Sequence, residues 1–197
     1  MDNRNLEFLY ELGSLKNIQR GWRQHLAMDV ENVLEHTIRV VWLALIISKM
    51  EGKGDENKIL KMALVHDMSE TRTSDLSYVQ KVYVKADEEK SAEHLFDKTL
   101  VEDYLDILKE YDKRESIEAK IVKDADNLEV DLELMELEER GSKLREKWNT
   151  DENRKKVRNE KLYTESAKKL WDDIQTSDPS SWHIKSNKWL KIKEAGK

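Results

Sequence analysis

Three short stretches of the 197-residue chain place histidine and acidic residues beside apolar ones, and they are Glu35-His36, His66-Asp67 and Asp124-Ala125-Asp126. Such groups are costly to bury in an apolar helix unless a partner balances them. One divalent ion would balance two histidines and two aspartates together: His36, His66, Asp67 and Asp126. This mixture of imidazole and carboxylate suits a transition metal better than magnesium. The pattern therefore predicts a metal centre, which in general can activate water and polarise a substrate oxygen.

Each of these residues is weaker evidence when it is taken alone. A His-Asp pair is a common dipeptide, and His36 by itself fits a hydrogen-bonded core histidine equally well. Asp126 is a stronger indication because it lies in an apolar segment, although Asp124 is a near alternative to it as a ligand. Glu70 comes four residues after His66 and projects on the same face if the helix continues. The combination is what favours a metal site.

The composition limits the class of protein. Charged residues make up 39% of the chain, with one proline and six glycines, which favours long helices. With no cysteine, neither disulfides nor thiolate metal ligands are available. The net charge of -6, with basic and acidic residues interleaved, argues against a broad nucleic-acid footprint. The most apolar segment, residues 40–47, is too short to span a membrane, and the first residues do not resemble a signal peptide. We expect an intracellular, cytoplasmic protein.

The hydrophobic periodicity predicts a single all-α domain. We expect a helix buried on most sides over about 32–50, and Asp55 is expected to cap the helix that follows. Later helices are expected over about 86–109, 116–139 and 151–174. Five tryptophans are interpreted as packing residues: Trp42, Trp148, Trp171, Trp182 and Trp189.

The order of the candidate ligands resembles that of the HD-domain metal-dependent phosphohydrolases: a histidine, then a His-Asp pair, then a distant aspartate. The surrounding residues are similar to one branch, the 5'-deoxynucleotidase-like proteins, which remove phosphate from deoxyribonucleoside 5'-monophosphates. Four segments match: Glu31-Asn32-Val33-Leu34-Glu35-His36, His66-Asp67-Met68-Ser69-Glu70, Asp75-Leu76 and Lys123-Asp124-Ala125-Asp126. The resemblance covers roughly residues 12–137, and we match no motif from about Lys143 onward.

The resemblance implies an HD-domain helical bundle and a role for each motif residue. His36, His66, Asp67 and Asp126 would be the metal ligands, and the ion would be cobalt, manganese or a similar divalent metal. The catalytic residues would be Asp67 and Glu70, the latter acting as an acid or base on the water or the leaving 5'-oxygen.

The substrate contacts implied by the resemblance lie on both sides of the His-Asp pair. Arg20 and Trp22 would contact the phosphate and discriminate the sugar, although Gly21 separates them here and some members have them adjacent. Asp75 would contact the sugar 3'-hydroxyl, or else cap a turn. Thr73 would offer a hydroxyl to the phosphate, or else close a turn. Arg72 and Lys81 are weaker candidates for phosphate contacts, and each is interpreted instead as a solvated charge.

The favoured function is therefore a metal-dependent hydrolase, a phosphatase of nucleotide metabolism that acts as a 5'-nucleotidase. One alternative is another HD-type phosphohydrolase acting on nucleoside triphosphates or cyclic dinucleotides. The other is a non-catalytic interaction protein whose working surface is the charged C-terminal part. We expect residues 1–142 to form the catalytic core and 143–197 to form a helical extension packed on it. No nucleic-acid or membrane partner is expected, and the family suggests a homodimer.

Overall fold

A computed structural model describes residues 3–26, 28–150 and 152–184, and within them the chain forms α-helices joined by short turns. The first six helices are α1 (Asn3–Gly13), α2 (Arg23–Leu26), α3 (Val33–Glu51), α4 (Glu56–Val65), α5 (Glu70–Thr73) and α6 (Glu88–Phe96). The other six are α7 (Tyr104–Lys113), α8 (Ile117–Glu139), α9 (Leu144–Thr150), α10 (Asn153–Lys156), α11 (Glu165–Gln175) and α12 (Ser181–Ile184). Residues Ser14–Asn17 and Gln80–Val82 form 3₁₀ turns, and Val157–Lys161 forms a π-helical turn.

The two longest helices, α3 and α8, lie against each other at the centre and carry most of the polar residues discussed below. Helix α4 packs against both of them, and α7 and α11 pack onto α8. The apolar core lies between these helices and includes Val40, Ala44, Ile47, Ile59, Met62, Ile121, Ala125 and Leu128. The all-α fold is confirmed.

Local sequence explains where the central helices begin and end. Asn32 and Glu35 form a reciprocal capping box at the start of α3, and Gly52 ends this helix in the left-handed conformation. Asp55 caps α4 by accepting the backbone N–H groups of Asn57 and Lys58, as predicted. Ser116 caps α8 in the same way.

The helix predicted over about 86–109 is wrong, because the chain breaks it into α6 and α7. Arg4 of α1 donates to the carbonyl oxygens of His94 at 3.1 Å and Asp97 at 3.0 Å. These bonds satisfy carbonyl groups at the end of α6 that a continuing helix would have used. Lys98 then takes a left-handed conformation with φ of 56°. The break therefore depends on a residue about 90 positions away, which local periodicity does not report.

The helix predicted over about 151–174 is also interrupted, between the π-helical turn and α11. Asp124 of α8 accepts the backbone N–H groups of Tyr163 at 2.7 Å and Thr164 at 2.8 Å. Thr164 in turn caps α11 through the N–H of Ala167. A buried carboxylate on one helix thus fixes the start of another.

Two expectations about burial are wrong. Helix α3 was expected to be buried on most sides, but it exposes one apolar face. Two of the tryptophans interpreted as packing residues are exposed: Trp42 on this face of α3 (64%) and Trp182 in α12 (70%). Trp171 is buried in the core as predicted, and Trp189 lies outside the described residues. No helix among the described residues combines the length and the apolar character needed to cross a membrane.

Candidate metal centre

The four predicted ligands come from three separate parts of the fold. His36 lies in the first turn of α3, where the Asn32–Glu35 capping box fixes the backbone with two hydrogen bonds of 3.0 Å. His66 and Asp67 directly follow the last residue of α4, and Asp126 lies within α8. Helix α3 packs against both α4 and α8, so their packing brings these side chains to one place.

The ligand atoms converge around Nε2 of His36. This nitrogen lies 3.4 Å from Nε2 of His66, 3.5 Å from Oδ2 of Asp67 and 3.3 Å from Oδ1 of Asp126. Nε2 of His66 also lies 3.2 Å from Oδ2 of Asp67. The structure therefore gathers His36, His66 and Asp67 into one group whose ligand atoms all lie within 4.8 Å of one another, and it places Asp126 beside His36.

Hydrogen bonds at the other ring nitrogen orient both imidazoles. Nδ1 of His36 lies 2.8 Å from Oε2 of Glu129, and Nδ1 of His66 lies 2.8 Å from the carbonyl oxygen of Ala63. An acceptor at Nδ1 places the proton there and leaves the lone pair on Nε2. Lone pairs on Nε2 would then face two carboxylates, so the arrangement needs a positive charge, either a proton on His36 or a bound cation. The donor set thus fits a divalent transition metal.

The electrostatics of the cluster also favour a positive charge. Burial opposes protonation of His36, yet the carboxyl groups of Asp126, Glu129 and Glu31 raise its pKa well above the usual value. Burial likewise opposes ionisation of Asp67, but the neighbouring histidines hold its pKa well below the usual range. The pKa of Asp126 is lowered too, against burial, by Lys123 and His36. The two aspartates are therefore ionised at neutral pH, as metal ligands must be.

Asp124 and Asp126 are close in sequence but have different surroundings. Both oxygens of Asp124 accept hydrogen bonds from residues 163 and 164 at the start of α11, and its side chain is fully buried there. Asp126 keeps Oδ1 beside His36, while its Oδ2 pairs with Lys123 at 2.6 Å. This geometry favours Asp126 over Asp124 as the aspartate of the metal centre.

Arg20 and Asp75 form an ion pair at the edge of the cluster. Nη1 of the buried Arg20 side chain lies 3.1 Å from Oδ2 of Asp75 and 3.8 Å from Oδ2 of Asp67. Although burial opposes its charge, these carboxylates raise the pKa of Arg20, so the guanidinium is a permanent cation beside the candidate ligands. Oδ2 of Asp75 also accepts the N–H of Gly21 at 3.1 Å, which ties the two segments together.

Glu70 is half-buried beside this group. Helix α4 ends at Val65, so one continuous helix does not carry both His66 and Glu70; Glu70 begins the short helix α5 instead. Burial, and then the charges of Asp67 and Asp75, raise the pKa of Glu70 to about 9. Among the described residues its buried Oε2 has no hydrogen-bond partner. With a pKa in this range and no cation bound beside it, the carboxyl group keeps its proton at neutral pH.

The remaining predicted contacts differ in their surroundings. The ring of Trp22 lies 5.4 Å from the guanidinium carbon of Arg20, close enough for a cation–π contact. Oγ1 of Thr73 donates to the carbonyl oxygen of Ser69 at 3.2 Å, which closes a helical turn, and no described contact joins it to the cluster. Arg72 pairs with Glu11 through both Nε and Nη2, while Lys81 lines a cavity beside Arg20.

Sequence reasoning missed the acidic residues behind His36. Glu129 is fully buried at 2.8 Å from Nδ1 of His36, and Oε1 of Glu31 lies 3.3 Å from the same atom. Arg39 balances this pair at 3.3 Å from Glu129 and 3.8 Å from Glu31. Glu129 comes three residues after Asp126, which places both on one face of α8. A second acidic residue at that spacing on an apolar helix was the available signal.

The chain was compared with known proteins. The family model described as HD domain matches residues 12–171. The chain is 33% identical to the protein named 5'-deoxynucleotidase HDDC2 of Danio rerio over 146 residues, which cover 71% of this chain and 72% of the relative. It is also 33% identical to the protein of the same name from Dictyostelium discoideum, over 72% of this chain and 82% of the relative. A solved structure of a conserved hypothetical protein from Pyrococcus furiosus superimposes with a TM-score of 0.70 at 26% identity, and the match covers 86% of this chain and 98% of that one.

The chain therefore belongs to the HD-domain family and is a metal-dependent phosphohydrolase. Within that family, the resemblance to the 5'-deoxynucleotidase-like branch stated from its motifs is confirmed by the relatives bearing that name. The prediction that the chain is an enzyme, specifically a hydrolase that binds a divalent metal, is confirmed at this level.

Proposed function

We propose that the chain releases phosphate from nucleoside 5'-monophosphates, deoxyribonucleotides in particular, with His36, His66, Asp67 and Asp126 holding a cobalt, manganese or similar ion. The observation that supports it most is that Nε2 of His36 lies within 3.5 Å of Nε2 of His66 and of one carboxylate oxygen each of Asp67 and Asp126. The names of the curated relatives support the same substrate class. When bound, the ion supplies Lewis acidity, which activates water and neutralises charge on the phosphate.

The residues of the chain then have distinct tasks. The Arg20 guanidinium, held by Asp75, neutralises and orients the phosphate through paired N–H donors. Asp75 uses Oδ2 for Arg20 and Gly21, so Oδ1 is left to accept a hydrogen bond from the sugar 3'-hydroxyl. Glu70, whose raised pKa keeps it protonated, donates its proton to the leaving 5'-oxygen. Glu129 holds His36 in the tautomer that binds the metal.

The arginine content near the ligands favours a monophosphate over a triphosphate. A triphosphohydrolase needs several cations to hold the longer anion. Among the described residues, Arg20 is the one arginine whose guanidinium lies within 4 Å of both Asp67 and Asp75. Lys123 is paired with Asp126 and Arg39 with Glu129. Little positive charge is therefore left to bind substrate, which suits a small anion such as a single phosphate group.

A substrate panel tests this proposal. The full chain is loaded with Co²⁺ or Mn²⁺, and phosphate release is measured from deoxyribonucleoside and ribonucleoside 5'-monophosphates, nucleoside triphosphates and a cyclic dinucleotide. We expect release from the monophosphates and faster release from the deoxy forms. Turnover confined to triphosphates or to the cyclic dinucleotide would favour the rival chemistry, and no turnover of any substrate would favour a non-catalytic protein.

We also propose that residues 143–197 are an extension of the catalytic core rather than an independent unit. The main support is Asp124, because this residue of α8 fixes the start of α11. A buried ion pair between Arg154 of α10 and Asp131 of α8 also joins the extension to the core.

A homodimer is proposed through the exposed face of α3. Its exposed apolar residues repeat every four positions and are symmetric about the tryptophan: Leu34, Ile38, Trp42, Ile46 and Met50. Two such helices packed antiparallel around Trp42 would interdigitate their i±4 ridges. The same symmetry places the exposed Glu35 of one copy opposite Lys49 of the other, so the charges also match.

Replacement of Trp42 by glutamate is therefore expected to convert a dimer into a monomer, because it places a charge at the centre of the contact. The measurement is the mass by light scattering, which we expect to be about twice 23.3 kDa for the wild type and about 23.3 kDa for the variant. Trp182→Glu is the matched control, since this tryptophan is equally exposed but lies in α12. A wild-type mass near one chain at working concentration contradicts the proposal.

A further inference from the structure

Two cavities share Tyr78 as a lining residue, and the lining of neither includes a proposed metal ligand. The first, of about 190 Å³, is lined by Arg20, Asp75 and Tyr78 among others. The second, of about 370 Å³, is lined by Tyr78, Trp148, Asn153, Arg154 and Val157. Tyr78 lines both, and Trp22 of the first cavity contacts Trp148 across a ring-centroid distance of 5.7 Å. The two spaces are therefore neighbours, and together they reach the size of an ordinary small-molecule site, roughly 300–1,000 Å³.

The lining of the second cavity suits an uncharged aromatic ring. Trp148 and Tyr78 offer π faces, and the Asn153 side chain offers both a donor and an acceptor. The guanidinium of Arg154 is neutralised by Asp131, because Nε and Nη2 donate to its two carboxylate oxygens, and Nη2 also donates to the carbonyl oxygen of Asn127. Arg154 is the one cation of this lining, so the lining favours an uncharged heterocycle with polar edges over a second phosphate.

The order of the groups matches the order within a nucleotide. Arg20 lies 3.8 Å from Asp67 and 3.1 Å from Asp75. Arg20 and Asp75 line the first cavity, and Tyr78 joins it to the second, which Trp148 lines. A nucleoside 5'-monophosphate carries its phosphate, sugar and base in the same sequence. Trp148 lies on α9, in the part of the chain for which we match no motif.

We propose that α9 and α10 build a nucleobase subsite in which Trp148 stacks on the base and Asn153 contacts its polar edge. This inference rests on the proposed function, because it takes the phosphate to lie at the metal ligands. It gives the C-terminal extension a task in substrate selection. Base–aromatic stacking is tolerant of sequence, so the subsite favours nucleotides over base-free sugar phosphates, while Asn153 biases the choice among bases.

The test compares dAMP with 2-deoxyribose 5-phosphate, which lacks the base. For metal-loaded Trp148→Ala we expect the ratio of kcat/KM for dAMP to that for 2-deoxyribose 5-phosphate to fall roughly 10- to 100-fold from the wild-type ratio. Trp148→Phe keeps an aromatic face and should restore most of it, and Trp182→Ala is the matched control. Turnover of 2-deoxyribose 5-phosphate reports that each variant is folded.

The outcomes separate this inference from the proposed function. If Trp148→Ala lowers kcat/KM equally for both compounds, Trp148 only supports Trp22 and the subsite is refuted. If wild type hydrolyses neither compound, the proposed function fails. Calorimetric binding of dAMP and 2-deoxyribose 5-phosphate then still decides the subsite, since an unchanged preference for dAMP in Trp148→Ala refutes it and a lost preference supports it.

Discussion

Replacing Asp126 with asparagine is expected to lower kcat/KM for dAMP by about 10³-fold, a loss of about 4 kcal/mol of transition-state stabilisation. The physical reason is that the change removes one of two negative ligands beside Nε2 of His36 while it keeps the shape of the side chain. An amide oxygen is a weaker ligand for a transition metal than a carboxylate. Metal affinity, measured by competition with a chelator, should fall together with the activity.

Asp124→Asn supplies the matched control for this prediction. Asp124 accepts hydrogen bonds from the backbone of Tyr163 and Thr164 and from the Thr164 hydroxyl, and its contacts lie away from the ligand cluster. We expect this change to lower the free energy of unfolding by about 1–3 kcal/mol, since charge-assisted bonds are weakened, and to leave metal affinity within a few-fold of wild type. The reverse pattern, with metal lost in the Asp124 variant and kept in the Asp126 variant, would mean that the ligand was misassigned.

Glu70→Gln is expected to lower kcat by about 10²- to 10⁴-fold, the usual contribution of a general acid. The amide keeps the size of the side chain but cannot give up a proton. Metal affinity and KM should change little, because Glu70 is not among the proposed ligands. Single-turnover phosphate release from dAMP, with metal binding measured in parallel, checks this prediction. A variant that loses its metal instead of its chemical step would show that Glu70 is a ligand.

The pH profile gives an independent check on Glu70. Burial and the charges of Asp67 and Asp75 raise its pKa to about 9, so the acid form persists through neutral pH and is lost as the pH rises through that value. A bound cation favours the ionised form of Glu70 and therefore lowers its pKa. We accordingly expect the alkaline limb of the kcat profile at or below about pH 9. We expect this limb in the wild type and its absence in Glu70→Gln. An identical limb in both proteins would assign it to another group.

Sequence pattern was sufficient for those parts of the fold and the site that depend on local signals. Asp55 was predicted to cap α4 and does so, and Asn32 and Ser116, which lie at two predicted helix starts, cap α3 and α8. His36, His66, Asp67 and Asp126 were identified because buried polar groups need a shared partner. The structure places the ligand atoms of His36, His66 and Asp67 close together and Asp126 beside His36, and the assignment of all four as ligands stays a prediction.

The features that sequence did not reveal depend on distant partners. Arg4 ends α6 and Asp124 starts α11, and neither effect leaves a trace in the periodicity of the affected helix. The contact between Trp22 and Trp148 joins residues more than a hundred positions apart, so Trp148 was interpreted as a packing residue. Glu129 did leave a signal, as a second acidic residue three positions after Asp126, but its pairing with His36 depends on the packing of α3 against α8. The partners of such residues are determined by tertiary packing, which the local sequence pattern does not report.

The measurement that tests the central claim most directly is phosphate release from dAMP as a function of metal added to chelator-treated protein, for wild type and Asp67→Ala. Oδ2 of Asp67 lies 3.2 Å from Nε2 of His66 and 3.5 Å from Nε2 of His36. The Asp67→Ala change therefore removes the proposed ligand that lies next to both histidines. We expect wild-type release to rise with Co²⁺ or Mn²⁺ and to saturate near one equivalent, while Asp67→Ala neither binds the ion tightly nor releases phosphate. Wild-type release that is indifferent to metal, or a variant as active as wild type, would contradict the account.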